Sequence, residues 1–359
     1  MRPLFNQAHQ ASGAQPRALA AGVLAYARHI DNVQMLASMA TRIVNKHVAL
    51  QVLPEHYPLV GSCLLASIRE VLGAEVATDE VIAAWGVAYG QLADMLIAAE
   101  TGVYAAQAQA PGGWHSARAF RVARKQPEST EITSFYFEPV DGLPIMAFEP
   151  GQYITLRLDI DGRDVRRNYS LSAQPDGRSY RISVKREAGG VASNYLHDHV
   201  HEGSVLGLFA PSGEFVLTAS ERPLVLISGG VGITPTLAML ERALTTSRPI
   251  YFIHCARDAQ VHAFKAHVDA LAQKHPRMQR FYCYSAGDRS TDVDDTIAVG
   301  RMVDAALLAQ WLPKDADVDA YFLGSKPFMR TVKRLLATHG VPASQARYEF
   351  FGPASALDD

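Results

Sequence analysis

The sequence predicts a multidomain chain: an all-helical domain, then a compact antiparallel β-barrel, then an α/β domain with a parallel sheet. Three observations carry this. The chain has 359 residues, and at about 150 residues per domain that length holds two to three folding units. From Gln15 to Gln107 apolar residues recur at helical spacing, with sparse turn signals and no strand alternation. Beyond the junction Gln109-Ala-Pro-Gly-Gly-Trp-His115 β-branched and aromatic runs take over, and beyond Ser220 short apolar runs alternate with helical stretches. The boundaries fall near Gly112 and Ser220, which gives domains 1–111, 112–220 and 221–359.

In the first domain Leu36, Ala40, Ile43 and His47 follow one another at i, i+4, i+7 and i+11, so His47 ends the apolar stripe of a helix. A packed core histidine and a metal ligand both fit that position. Glu100 lies on the apolar stripe of a later helix with Tyr89, Leu96 and Tyr104, and a carboxylate there needs a partner.

Barrel strands are expected at Ile132 to Phe137, Tyr153 to Leu158, Tyr180 to Lys185 and Glu214 to Leu217, with Pro/Gly/Asp turns between them. Arg167-Asn168-Tyr169-Ser170 places a fixed cation, an aromatic face and a hydroxyl within four residues, so alternate side chains of one strand can serve a phosphate and a planar ring. Pro150-Gly-Gln-Tyr153 adds a second aromatic, and Val184-Lys-Arg-Glu-Ala-Gly-Gly190 with Ser193 adds basic and glycine-rich backbone. Together they describe a flavin dinucleotide cradle; barrel packing is the other role open to Tyr153 and Tyr169. His197-Asp-His-Val-His201 matches no common closed zinc site and reads as a helix ending in a solvated turn.

In the third domain strands are expected at Leu224 to Ser228, Ile250 to His254, Gln279 to Tyr284 and Ala320 to Leu323. Helices are expected at Thr236 to Leu244, Ala263 to Gln273 and Phe328 to His339. The segment from Leu224 to Pro235 is a strand, a glycine-rich turn and a helix start, with Pro235 at a plausible first helical position. Glycines there let the backbone approach an anion, and the free N–H groups of the helix start point at it; a purely structural turn is the alternative. The segment is not the G-x-G-x-x-G fingerprint. Gly324-Ser325-Lys326-Pro327 follows another strand at the carboxyl edge, where ligands of open α/β sheets collect. Arg257 stands where it can meet a ribose or phosphate, or simply be solvated.

Composition narrows the function classes. Hydrophobic residues make up 48% and charged residues 19%, with 34 Lys+Arg against 36 Asp+Glu and a net charge of -2, which is ordinary globular composition and excludes disorder as the dominant state. A chain without basic excess is not expected to grip nucleic acid or an anionic membrane. Cys63, Cys255 and Cys283 are widely spaced and odd in number, which points to a reducing cytoplasm and no disulfide framework. Met1 to Ala14 does not read as a signal peptide. The longest uncharged run, Pro223 to Leu240, suits strand, turn and helix start better than a membrane span. A cytoplasmic monomer is expected.

The order R-x-Y-S, then G-G-V-G-I-T-P, then Tyr348-Glu-Phe-Phe-Gly-Pro353 resembles the ferredoxin-reductase family of FAD and NAD(P)H modules. With the helical domain in front, the chain from about Leu4 to Pro353 resembles the flavohemoglobins, bacterial nitric oxide dioxygenases. The resemblance implies a globin first domain and the cofactors heme b, FAD and NAD(P)H. It assigns FAD contacts to Tyr153, Arg167, Asn168, Tyr169, Ser170, Phe350, Phe351, Gly352 and Pro353, and NAD(P)H contacts to Gly230, Val231, Gly232, Ile233, Thr234 and Pro235. It makes His47 the proximal iron ligand, Tyr57 and Glu100 its charge-relay partners, Lys46 and Glu349 redox-tuning residues, and Phe5 and Gln15 part of the heme pocket wall. A carboxylate behind a heme histidine makes the imidazole more basic and pushes electron density to iron.

The implied activity passes a hydride from NAD(P)H to FAD and single electrons to heme, where dioxygen converts nitric oxide to nitrate. Two alternatives stand beside it: an NAD(P)H-dependent flavin reductase acting on ferric iron, quinones, dyes or dioxygen, and a non-enzymatic heme gas sensor. The chain departs from the family at Leu323-Gly324-Ser325, where Cys-Gly-Pro is usual, and at Phe350, where Cys is usual. Both departures bear on nicotinamide positioning and rate more than on binding. The chain also starts later than the family's globin helices A to C, so the expectation is weak or no heme binding by the chain as given.

Overall fold

A computed structural model of the chain describes residues 13–287 and 295–351. The first domain is helical: α1 (Ala14–Arg28), α2 (Ala37–Leu50), α3 (His56–Leu72) and α4 (Asp79–Gln109). α4 starts where the Thr78 side chain accepts from the Val81 N–H at 3.4 Å, with Asp79 and Glu80 in the first turn to oppose the helix dipole. α2 stops at Gln51, which turns left-handed at φ 56°. α2 and α4 pack through Val44, Val48, Ala93 and Leu96, joined by Val52 of the following turn and Tyr57 of α3. α4 is also long and apolar enough, by length and composition, to cross a membrane; within the fold it carries the buried Glu100 against α2.

The second domain is an antiparallel sheet of six strands: β1 (Arg118–Pro127), β2 (Ile132–Pro139), β3 (Tyr153–Ile160), β4 (Arg163–Ser170), β5 (Tyr180–Lys185) and β6 (Val205–Leu208), in the order β4-β3-β6-β1-β2-β5. Leu171, just past β4, bridges antiparallel to Ile182 of β5 and brings the two edges together. α5 (Val191–His199) inserts Leu196 into the barrel core beside Phe135, Leu156 and Tyr180, and it ends at His199 as the sequence suggested.

The expected strand from Glu214 to Leu217 does not form. Only Ser212 bridges back to Tyr153, after which Phe215 leaves the barrel and packs edge-on against Tyr321 of the third domain, ring centroids 5.6 Å apart. The apolar residues that suggested a strand are spent on the seam between domains.

The third domain holds a parallel sheet in the order β10-β9-β8-β7-β11-β12. Its strands are β7 (Leu224–Gly229), β8 (Ile250–Ala256), β9 (Met278–Tyr284), β10 (Ile297–Val299), β11 (Asp319–Leu323) and β12 (Ala346–Tyr348). Helices α6 (Ile233–Ala243), α7 (Lys265–Lys274), α8 (Ala305–Trp311) and α9 (Lys326–His339) connect them. The order reverses between β7 and β11, and such a reversal leaves a crevice at the carboxyl ends of those two strands. Pro235 is the third residue of α6, not the first: the turn Gly230–Gly232 is already a 3-10 helix, so the helix begins earlier than proline placement suggested.

At the opposite end of the sheet Arg248, 3% exposed, meets Asp319, 1% exposed, at 2.9 Å. Arg347 reaches the other oxygen of Asp319 at 3.0 Å, and Arg248 also donates to the carbonyl of Arg222 at 2.7 Å. These bonds tie the starts of β8, β11 and β12 together. Removal of one member of a buried pair strands the other charge, at a cost of about 3–5 kcal/mol. Asp319→Ala is therefore expected to lower the α/β domain's urea midpoint steeply, while Arg248→Met with Asp319→Leu lowers it less.

Candidate functional site

The helix geometry brings His47, Tyr57 and Glu100 to one point. Glu100 Oε1 accepts from the Tyr57 hydroxyl at 2.6 Å and from His47 Nδ1 at 2.7 Å, and Tyr57 lies 3.1 Å from the same ring nitrogen. An ionised carboxylate only accepts, so it selects the imidazole tautomer with its proton on Nδ1 and leaves the Nε2 lone pair free. Among the described residues Nε2 has no hydrogen-bond partner, and the side chain is 24% exposed. That donor set fits an iron porphyrin: an oriented imidazole with a carboxylate behind it.

The remaining contacts hold the triad rigid. The Glu100 side chain is 2% exposed, and its second oxygen is buried with no hydrogen-bond partner among the described residues. Burial and the neighbouring Glu100 push the Tyr57 phenol far above its ordinary pKa, so it stays a donor. Tyr89 donates to the Tyr57 carbonyl at 2.8 Å and Tyr104 to the Val52 carbonyl at 3.0 Å, which fixes the turn between α2 and α3. Gln15 lies half-buried in the first turn of α1, and no hydrogen bond among the described residues joins it to His47. Phe5, Gly352 and Pro353 lie outside the described residues.

Lys46, next to His47, reaches the other domains. It lies within electrostatic reach of Glu349, just past β12, and of Arg42 and Glu214. Burial lowers the Lys46 pKa against the pull of Glu349, and burial pushes the Glu349 carboxyl up to about 7 against the pull of Lys46. Arg42 and Glu214 form a solvent-exposed pair at 3.4 Å. The Tyr153 phenol, at the start of β3, donates to the Asn45 carbonyl of α2 at 3.4 Å.

On the barrel, strand register sets Tyr153 opposite Ser170, Thr155 opposite Asn168 and Leu156 opposite Arg167. Thr155 donates to the Asn168 side-chain oxygen at 2.9 Å. Arg167 donates to the Arg166 carbonyl at 2.7 Å, and among the described residues no carboxylate pairs with it. Burial lowers its pKa and raises that of Tyr169. A half-buried guanidinium beside a half-buried phenol and an exposed amide held by Thr155 suits a flavin diphosphate and ring. Phe350 packs edge-on to Tyr348, centroids 5.7 Å apart, and Phe351 is exposed.

On the α/β domain, the backbone of Gly230–Gly232 sits at the crevice between β7 and β11. A Cβ on Gly232 would lie 2.5 Å from the Leu323 carbonyl, so only glycine permits this approach. Gly230 has φ 55° and faces open space, so its backbone stays accessible to an approaching anion. Ile233, Thr234 and Pro235 are buried, so the loop offers a nucleotide its backbone and not those side chains. Ser325 accepts from the Phe328 N–H at 3.4 Å and caps α9. Arg257, a candidate ribose contact, pairs with Glu131 of the barrel at 3.2 Å and with Asp258 at 3.1 Å, which makes it an interdomain bridge.

Sequence reading missed three features here. Arg42 and Glu214, Arg166 and its contact to α2, and the buried His254 carry no local motif. His254 bonds Ser228 at 2.8 Å, and its ring lies 4.4 Å from that of His262.

Three family models match the chain in succession: Globin over residues 1–96, Oxidoreductase FAD-binding domain over 119–217 and Oxidoreductase NAD-binding domain over 226–334. Flavohemoprotein of Pseudomonas aeruginosa is 64% identical across 100% of this chain and 90% of its own length. That of Deinococcus radiodurans is 46% identical across 99% and 88%. Among solved structures, flavohemoglobin from Malassezia yamatoensis with bound FAD and heme is 25% identical, covering 98% of this chain and 89% of its own at a TM-score of 0.83. The FAD/NAD-binding domain of nitric oxide dioxygenase from Vibrio cholerae is 37% identical, covering 67% of this chain and 100% of its own at 0.60. Helical, barrel and α/β units thus follow one another in the order of these relatives, and the chain belongs to the flavohemoprotein family, as an oxidoreductase of heme, FAD and NAD type.

Proposed function

We propose that this chain uses NAD(P)H and dioxygen to oxidise nitric oxide to nitrate. The observation that carries the reading is the cluster of His47 on α2, Tyr57 on α3 and Glu100 on α4, with Lys46, the residue before His47, within electrostatic reach of Glu349 and Glu214 of the other domains. Bound heme supplies the dioxygen chemistry, FAD divides a two-electron hydride into single electrons, and NAD(P)H supplies them. His47 offers Nε2 to iron. Glu100 holds the proton on Nδ1 and keeps the imidazole electron-rich, and the Tyr57 hydroxyl holds that carboxylate in place. Arg167, Tyr169, Asn168, Ser170 and Tyr153 hold the flavin, and the Gly230–Gly232 backbone holds the nicotinamide nucleotide. Lys46 and Glu349 set the charge between the two redox sites.

A second reading, an NAD(P)H-dependent flavin reductase acting on ferric iron, quinones or dioxygen, is favoured by apolar side chains left open on the helical domain: Met35, Val71, Val76 and Val87 are all exposed. One preparation separates the two. On expression with heme supplied, the dioxygenase reading expects a Soret band beside flavin absorbance and two nitrates per NAD(P)H consumed under nitric oxide and dioxygen. Flavin bands alone, with dye reduction intact, establish the reductase.

Two substitutions probe the assigned parts. Glu100→Gln leaves an amide behind His47; nitric oxide turnover is expected to fall about 10–100-fold and the heme reduction potential to rise, with NADH-to-ferricyanide turnover unchanged. Glu349 tests the charge cluster. Its carboxyl titrates at about 7 in the folded chain against an ordinary 4.5, so between those values the folded state binds the extra proton and stability falls as pH rises. Thermal melts across that window are expected to show the decline, and Glu349→Gln to flatten it.

A further inference from the structure

The strand that carries the flavin motif also grips the helix that carries His47. Arg166 precedes Arg167 on β4, and neighbours on a strand face opposite sides, so its guanidinium leaves the flavin motif and crosses to the helical domain. There it donates to the carbonyl of Leu50, the last residue of α2. The same guanidinium binds Asp164 at 3.1 and 3.4 Å, lies 5.2 Å from the Phe209 ring centroid, and its side chain is 13% exposed. Asp164 is held in turn by Arg157 at 3.0 Å.

The acceptor is one the helix itself does not satisfy. At the end of α2 the Gln51 N–H bonds the Val48 carbonyl at 3.0 Å and the Val52 N–H bonds the His47 carbonyl at 2.9 Å. Continued helix would bond the Leu50 carbonyl to residue 54, but that residue is Pro54 and has no N–H. The carbonyl of the half-buried Leu50, at the negative end of a helix dipole, is therefore left to Arg166, a fixed cation already oriented by Asp164.

We infer that Arg166 is a positioning residue: it clamps the His47 helix to the flavin strand and so fixes the path between the two redox sites. The electron-transfer part of this rests on the proposed function above; the clamp itself does not. The test uses the FAD-loaded full chain with Arg166→Leu and Arg166→Lys, read in three ways. In Arg166→Leu, hydrogen exchange of amides 48–52 is expected to quicken about tenfold. NADH-to-ferricyanide turnover is expected to stay within about twofold, while reduction of bound heme by NADH slows about tenfold or more. Arg166→Lys, which keeps the charge and one donor, is expected to restore part of both losses, and it serves in place of the leucine variant if that one fails to fold.

Unchanged exchange and unchanged heme reduction overturn the inference. Ferricyanide turnover that falls in step with heme reduction also overturns it, because Arg166 would then serve the flavin directly. If the wild-type chain takes up no heme, the proposed function fails, and the exchange measurement still decides whether the clamp exists.

Discussion

A carboxylate taken out of water has to be met by donors, and the helical domain is organised around that demand at Glu100. The Tyr57 hydroxyl and His47 Nδ1 supply the donors, which forces α2, the start of α3 and the middle of α4 to a common point. Tyr89 and Tyr104 then spend their hydroxyls on the backbone of the same turn. One buried charge thus sets the tautomer of the histidine, the protonation of the tyrosine and the crossing of the helices. A neutral residue at position 100 would relax all three together.

α2 is also where the other two domains arrive. Tyr153 of β3 reaches the carbonyl of Asn45, Arg166 of β4 reaches that of Leu50, and Glu214 meets Arg42. Glu349, just past the edge strand β12, acts on Lys46 from the α/β domain. The barrel and the α/β domain meet in turn through Phe215 on Tyr321, Thr218 bonded to Tyr321 at 2.9 Å, and Arg257 on Glu131. Backbone carbonyls and charge pairs join the helical domain to the others, while Ile132 and Phe215 carry apolar packing from the barrel into the α/β core, so much of the interdomain geometry falls to individual side chains.

Elements with a local signal were legible in the sequence. The helical spacing around His47, the β-branched runs of the barrel and the strand-turn-helix at Gly230 all depend on residues near one another in the chain. What failed depends on distant partners. Glu214 to Leu217 has strand composition, yet Phe215 is claimed by Tyr321. Pro235 marked the helix start two residues late because the glycines before it already coil. Within the candidate site the types and order of residues were readable, while Arg166, one residue before the flavin motif, was not, since its acceptor is a main-chain oxygen that no sequence pattern displays.

The meeting of Lys46 with Glu349 has a consequence for how the protein is made. α2 leaves the ribosome long before β12, and Glu349 does not exist until the last strand of the α/β sheet has been synthesised. Tyr153, Arg166 and Glu214 of the barrel can seat the helical domain earlier, while the charge balance around Lys46 is completed only as a late event of biosynthesis, coupled to completion of the nucleotide-binding sheet.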